Sequence, residues 1–368
     1  MKERKDESER LIDQLKILQY CGWSNEIYSK HLKEIDIYDP HKETYETEES
    51  KVKIYHAFKE VLISYYTGIA INVTYRRVFG NICFVDATAG IGIVPLLLED
   101  KVIPIFGSAV IPLITPTLGE IYFKRGIKPF KKVFLMEIND DRRMVLKKVI
   151  NELLSKLEEI KVPIPDIEMK YYDFNSHIGD VLNKYKDNCK YWLVVIDPTG
   201  ADIEWNAVKA LLNARENYGV IVDVMFNFMC GSLRRQKSEA CSSKKHAFNK
   251  FFGDEGWKKC CSEEGFGECL HNYYADKIRK LNYEVYGSSI WRMENSWHYH
   301  FDLIVYKHRK KSHPWIQPYR SISEYIINLR EDGLYRMLTN GLLINYMQKD
   351  HNIGKSLSEC LIKNISNI

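Results

Sequence analysis

The chemistry of this chain concentrates in four acidic residues, Asp86, Glu137, Asp173 and Asp197, each closing a short apolar run: NICFVD, KVFLME, IEMKYYD and YWLVVID. After the first run the chain continues ATAGIG, so Asp86, Ala89, Gly90 and Gly92 form an Asp-x-x-x-Gly-x-Gly turn. Glycines in such a turn let the backbone bend sharply and come close to a ligand. A carboxylate at the place of Glu137 accepts hydrogen bonds from both hydroxyls of a ribose, each charge-assisted and worth about 1.5–3 kcal/mol. Asp173 is placed to face an adenine amino group, and Asp197 leads into the rigid turn Pro198, Thr199, Gly200. One acid at the end of an apolar run is ordinarily a helix N-cap or a solvated turn residue. Likewise a lone Pro198 ordinarily marks the first residue of a helix. Four acids in register, with a glycine turn after the first, instead predict a pocket for a nucleoside-type cofactor. A dinucleotide does not suit the pattern. Glu137 lies 51 positions after Asp86, far beyond the roughly 20 of the dinucleotide fingerprint, whose third glycine is also missing.

These residues need a scaffold that brings strand ends together. From Asn81 onward short apolar runs alternate with stretches of helical spacing: NICFVDA, KVFLMEI, IEMKYYD, YWLVVID and YGVIVDVMFN against RRMVLKKVINELLSKLEEI, HIGDVLNKYK and WNAVKALLNARE. Such alternation predicts a mostly parallel sheet covered by helices on both faces, in which ligands bind at the carboxyl ends of the strands. Two further strand patterns follow, NYEVYGSSIW and YHFDLIVYKH, then a helical tail from Ile322 to Met347. Upstream, residues 8 to 35 and the stretch SKVKIYHAFKEVLISYYTGIA have helical periodicity. The expected organisation is an N-terminal helical extension over 1–50, an α/β domain over 51–310 and a C-terminal helical tail over 311–368. A basic, cysteine- and aromatic-rich insertion falls at about 231–275.

Composition bounds the rest. The chain is 45% hydrophobic and 28% charged over 368 residues, enough for a large core. The net charge of +4 alone does not imply nucleic acid. The distribution is uneven: between Gly231 and Arg320 there are 17 Lys and Arg against 10 Asp and Glu, leaving a surplus of 7 positive charges there. The N-terminus MKERKDESER lacks an apolar signal region, and the longest apolar runs are too short or too broken by proline to span a bilayer. Nine scattered cysteines are simplest to read as free thiols in a reducing cytoplasm. A metal site from Cys260, Cys261, Cys269 and His271 is the lesser reading, because adjacent cysteines rarely share one tetrahedral ion; no metal is expected. His298 and His300, on one face of a strand, read as a packed or surface pair.

The set of strand ends resembles class I S-adenosylmethionine-dependent methyltransferases, with their Rossmann-like, mostly parallel seven-stranded sheet. From about Lys51 to His308 the order of motifs is similar to that of the three-Cys-motif partner proteins, a methyltransferase-like family. The matching pieces are Lys53 in KVKIYHAFK, Asp86/Gly90/Gly92, Gly107-Ser108, Glu137 in LMEI and Asp173 in YYDFN. IDPTG at Asp197–Gly200, Asn227 in FNF, Arg234 in LRR and FFGDEGW at Gly253 to Trp257 complete the order. The resemblance implies S-adenosyl-L-methionine held by Asp86, Ala89, Gly90, Gly92, Glu137, Asp173 and Asp197. It also accounts for the long gap before Glu137, since the family carries extra chain there. Here that insert contains Pro95, Pro104, Pro112 and Pro116, through which no helix continues easily.

Amino-methyltransferases carry an Asp/Asn-Pro-Pro-aromatic turn in which the acid accepts hydrogen bonds from the substrate amine and aims its lone pair at the methyl carbon. IDPTG keeps Asp197 and Pro198, while Thr199 stands where a second proline or an aromatic is usual. Trp205, Phe226 and Phe228 are candidates for the missing ring, and Thr199, Asn227 and Arg234 for substrate contacts. The tRNA guanine N2-dimethylating enzymes have a similar Asp-Pro-x-Gly turn. An exocyclic amine in RNA or DNA is therefore the expected acceptor. Basic stretches at CGSLRRQKSEACSSKKH and at KHRKK (307–311), with Trp291, Trp297, Tyr299 and Trp315 nearby, suit a phosphate backbone and stacked bases. They equally suit solvated surface and core. The alternative reading is a non-catalytic binding subunit for a three-cysteine protein, and a third is a different adenine-nucleoside cofactor in the same pocket.

Overall fold

The computed structural model describes residues 6–32, 50–98, 101–116, 128–243, 247–292, 296–307, 314–329 and 336–338. Among the described residues there are nine strands: β1 Ile82–Asp86, β2 Ile93–Leu98, β3 Lys101–Phe106, β4 Lys132–Leu135, β5 Asp166–Glu168, β6 Tyr191–Ile196, β7 Ile221–Phe228, β8 Tyr283–Arg292 and β9 Ser296–Tyr306. Seven form one sheet in the order β5-β4-β1-β6-β7-β9-β8. β5 through β7 pair in parallel, and β9 joins β7 and β8 antiparallel. Strand order reverses between β1 and β6, the switch point at which a doubly wound sheet opens a crevice. This is the Rossmann-like class I methyltransferase arrangement, an α/β fold with one antiparallel strand near the edge.

All five residues of β1 and all six of β6 are buried, as continuous apolar runs in a sheet covered on both faces must be. Successive side chains serve opposite layers. Phe84, Leu193 and Val195 join one core with α1 (Glu7–Gln19), α2 (Trp23–His31), α3 (Ser50–Thr74), α4 (111–116) and α5 (Asp140–Glu159). Cys83, Val85, Trp192 and Val194 join the other. That layer holds α6 (Phe174–Tyr185), α7 (Trp205–Leu212), α8 (Ala214–Tyr218), α9 (Cys230–Arg235), α10 (Lys237–Ser242), α11 (Ala247–Phe252) and α12 (Phe266–Arg279). The N-terminal helices share the core of the sheet: Leu11, Leu15, Leu18 and Ile27 are fully buried in it, and Ser24 Oγ donates to the Pro104 carbonyl at 2.8 Å.

Several expectations change. The proline-rich insert after Gly92 opens as a β2–β3 hairpin with Pro95 opposite Pro104, and Pro112 and Pro116 fall near the two ends of the short helix α4. A two-stranded ribbon accepts such a pair because each ring can turn its nitrogen away from the ladder. The third strand is shorter than IEMKYYD suggests: β5 ends at Glu168, and Asp173 lies beyond it as the N-cap of α6. The C-terminal helix α13 (Gln317–Asn328) begins before Ile322, and most of the proposed tail lies outside the described residues. Among the described residues six cysteines are bonded rather than free, as Cys83–Cys189, Cys241–Cys261 and Cys260–Cys269. Cys83 of β1 meets Cys189 in the loop just before β6, while consecutive Cys260 and Cys261 diverge to different partners. They therefore build no metal site with His271.

Candidate functional site

The glycine turn and the second acid are one hydrogen-bonded unit. Gly90 (φ 59°) and Gly92 (φ 78°) both occupy the left-handed region, which a side chain strongly disfavours. A Cβ on Gly92 would also lie 3.0 Å from Leu146 of α5. The bent turn aims the Gly90 N–H at Glu137 Oε2 (2.9 Å), while Asn139 N–H donates to Oε1 at 2.9 Å. Ala89 N–H donates to the Met136 carbonyl at 2.9 Å, clamping the loop to the end of β4. Each Glu137 oxygen keeps a lone pair at the carboxyl edge of the sheet. Beside it the apolar Ile138 is 70% exposed and Tyr172 is 48% exposed. Arg143 lies over the Tyr172 ring at 4.9 Å and donates to the Glu137 carbonyl at 2.8 Å.

The second half of the site lies between β1, β6 and α3. Asp197 follows β6 directly, and its N–H donates to Thr88 Oγ1 at 2.9 Å, whose own N–H donates to Asp86 Oδ1 at 3.0 Å. Asn227 Nδ2 donates to Asp197 Oδ1 at 2.6 Å. Opposite stands Lys59 of α3, ion-paired to Asp197 and 3.4 Å from Glu60 Oε1. Burial alone would discharge Lys59, but the Asp197 and Glu60 carboxylates outweigh it and raise its pKa. Burial likewise opposes charge on Asp197, yet the Lys59 ammonium wins and, with Asn227, holds it below the usual carboxylate range. The other two acids go the opposite way. Burial pushes Glu60 up to about 8 and Asp86 up to about 7, with the Ser108 hydroxyl and Thr88 N–H pulling Asp86 back. Glu60 Oε2 and Asp86 Oδ2 are buried without a hydrogen-bond partner. At neutral pH the cluster thus holds one cation, one firm anion, a Glu60 that is mostly protonated and an Asp86 near its midpoint.

α3 is held in register by a second network. Asp223 of β7 accepts hydrogen bonds from Tyr66, two turns after Lys59, at 2.7 Å and from Tyr191 of β6. After the hairpin, Gly107 N–H donates to the Gly92 carbonyl at 3.0 Å, which returns the chain to the glycine turn and delivers Ser108 beside Asp86.

The structure brings Asp86, Ala89, Gly90, Gly92, Glu137, Asp197, Pro198 and Asn227 to one edge. Pro198 is buried and opens no helix, since α7 starts at Trp205. Thr199 is exposed and donates to Asp202 Oδ2 at 2.8 Å. Asp173 accepts from Asn175 N–H at 3.1 Å and from Ser176 Oγ, as a cap does. Arg234 is exposed on α9, beside the Asp197–Gly200 turn: a Cβ on Gly200 would lie 3.5 Å from Ser232 Oγ and 3.8 Å from Gln236 Nε2. Trp205, Phe226 and Phe228 do not offer a ring to Asp197. The phenylalanines alternate with Asn227 along β7, so they face the other layer and stack around Phe251 and Tyr274. Trp205 packs against Tyr274 and under Gly253. Trp315 packs against Tyr66; the side chains of Lys53, Trp291, Trp297, His298 and Tyr299, and residues 308–311, lie outside the described residues. Lys59, Glu60, Thr88 and Ile138 are site residues that the motifs do not single out, although Lys59 ends KVKIYHAFK, Thr88 lies in the glycine turn and Ile138 ends LMEI. The signal for the first pair was their place in the apolar face of α3, where a charged pair is out of keeping.

No family model and no curated protein matches the chain. Among solved structures it is similar to Trm1 from Pyrococcus horikoshii in complex with S-adenosyl-L-methionine, at 10% identity and a TM-score of 0.33, covering 74% of this chain. The chain spans 59% of the length of that relative.

Proposed function

We propose that the chain is an S-adenosyl-L-methionine-dependent methyltransferase that methylates an amine nitrogen, in the first instance an exocyclic amine of RNA or DNA. The observation that carries this reading is the Glu137–Gly90 unit at the switch point of the sheet, with Ile138 exposed next to it. A carboxylate with spare lone pairs, a turn open above Gly90 and an uncovered apolar side chain are the donor set a ribose and an adenine require. Glu137 would take the ribose hydroxyls, Ile138 and Tyr172 would flank the base, and Asp86 with the Gly90–Gly92 turn would hold the amino-acid end. When bound, the cofactor supplies an electrophilic methyl carbon on sulfur. The chain's own residues must present the amine and take up its proton. Asp197, kept ionised by Lys59, accepts an N–H of the amine while Pro198 stiffens the turn and adds no competing donor. The exposed Arg234 and Arg235, beside that turn, suit a phosphate backbone. One feature also suits a non-catalytic binding subunit of a three-cysteine protein: Asp197 already has Lys59 and Asn227 as partners.

Incubation with labelled methyl donor and separate RNA, DNA and protein fractions distinguishes these readings. Label in a nucleic-acid fraction, lost in Asp197→Ala, is the expected outcome. Label only in protein would move the acceptor class. Cofactor binding without transfer to any fraction would favour the binding subunit.

A further inference from the structure

On the face of the sheet opposite α3, three side chains that have no part in the cofactor site meet in the core. His300 and Asp302 are two apart on β9 and so share one face. His271 reaches them from α12, its Nε2 2.8 Å from Asp302 Oδ2. The two imidazoles lie face to face at 3.7 Å. The residues are 7%, 6% and 2% exposed for His271, His300 and Asp302, and one ligand atom from each falls within 4.8 Å of the others. Asp302 Oδ1 is buried and accepts no hydrogen bond. Among the described residues no Lys or Arg pairs with this carboxylate. A buried charge without a full set of partners is costly, and one hydrogen bond from an imidazole leaves half of it unanswered.

The neighbouring strand makes room at that atom. Gly287 of β8 is the register partner of Asp302, and a Cβ there would stand 2.8 Å from Asp302 Oδ1. Glycine inside a long strand weakens it and commonly marks a close approach by a ligand or another backbone. We propose that His271, His300 and Asp302 bind a divalent transition-metal ion of the zinc class, with Gly287 leaving space for it. Two imidazoles and a carboxylate are a borderline-soft donor set. Bonds of about 2.0–2.2 Å require the three ligand atoms to draw in by about an ångström, a matter of turning His271 from its stack on His300. The ion would fasten α12, and with it the segment 230–280, to the edge of the sheet, much as a structural zinc fastens a small domain.

The test uses the full chain, stripped with a chelator and titrated with Zn2+ or Co2+ alone. The expected result is uptake of one equivalent, with Co2+ showing the visible absorption of a low-coordinate, nitrogen- and oxygen-bound site. His300→Ala and Asp302→Asn should weaken binding at least about 100-fold, and Gly287→Ala, which keeps every ligand, should weaken it as well. Circular dichroism identifies any variant that does not fold, and for such a variant the wild-type titration decides. No uptake by the wild type, or uptake unchanged in the folded variants, would overturn the assignment and leave a metal-free His–Asp pair.

Discussion

Replacing Lys59 with methionine isolates the ion pair with Asp197 at the end of β6. Lys59→Met keeps the length of the side chain and removes the charge, so Asp197, whose side chain is 21% exposed, loses its ion-pair partner and keeps the Asn227 hydrogen bond. Breaking a buried pair by removing one partner costs about 3–5 kcal/mol. The residual exposure and the Asn227 hydrogen bond place this case near the lower end, at about 3 kcal/mol. Asp197→Asn should cost less, about 1–2 kcal/mol, because Lys59 retains Glu60 at 3.4 Å and Glu60 can ionise in place of Asp197. The double variant leaves neither charge, so the single effects should not add. A coupling of about 1.5–3 kcal/mol is expected. Urea unfolding of the four proteins at pH 7 measures the cycle. The sign with pH follows as well. Without Lys59, burial raises the Asp197 pKa above its unfolded 3.8, so the folded state takes up a proton and the Lys59→Met penalty shrinks as pH falls towards 4. Additive single effects within about 0.5 kcal/mol, or a penalty that does not change between pH 4 and 7, would refute the pairing.

Two further outcomes follow from the same burial. Glu60 has a folded pKa of about 8 against 4.5 unfolded, so the native state binds the extra proton and stability should decline as pH rises across that window. Glu60→Gln should flatten this decline, which is on the order of 3–5 kcal/mol, in unfolding measured from pH 5 to 9. At the α3 anchor, Asp223→Ala should destabilise by about 2–5 kcal/mol because two buried tyrosine hydroxyls lose their acceptor, whereas Tyr66→Phe should cost about 0.5–1.5 kcal/mol. Equal losses in the two would mean that Asp223 is not the shared acceptor.

The sheet was legible where its strands are buried on both faces, as β1 and β6 are, with an acid closing each run at Asp86 and Asp197. ICFVD and YWLVVI can only be interior parallel strands, and the glycine turn follows from ATAGIG. The hairpin was not, because Pro95 and Pro104 look like breakers until they face each other across a two-stranded ribbon. Asp173 shows how local chemistry competes with a site: a carboxylate of the type that takes a ligand instead caps α6. Lys59 was hidden for another reason. Its role depends on α3 crossing the end of β6, a contact 138 positions apart that no spacing within KVKIYHAFKE reveals. The basic insertion reads from composition as a surface, yet its aromatics Phe248, Phe251, Phe252 and Trp257 form core, while Arg234, Arg235, Lys250 and Lys259 are among the residues it exposes.

The central claim, that the carboxyl edge of β1 and β4 holds S-adenosyl-L-methionine, is tested most directly by calorimetric titration of that cofactor into the wild type and Glu137→Ala. Binding by the wild type, weakened about 10- to 100-fold or more by the loss of one or two charge-assisted hydrogen bonds of about 1.5–3 kcal/mol each, is the predicted result. No heat of binding with the wild type, or equal affinity in Glu137→Ala, would contradict it.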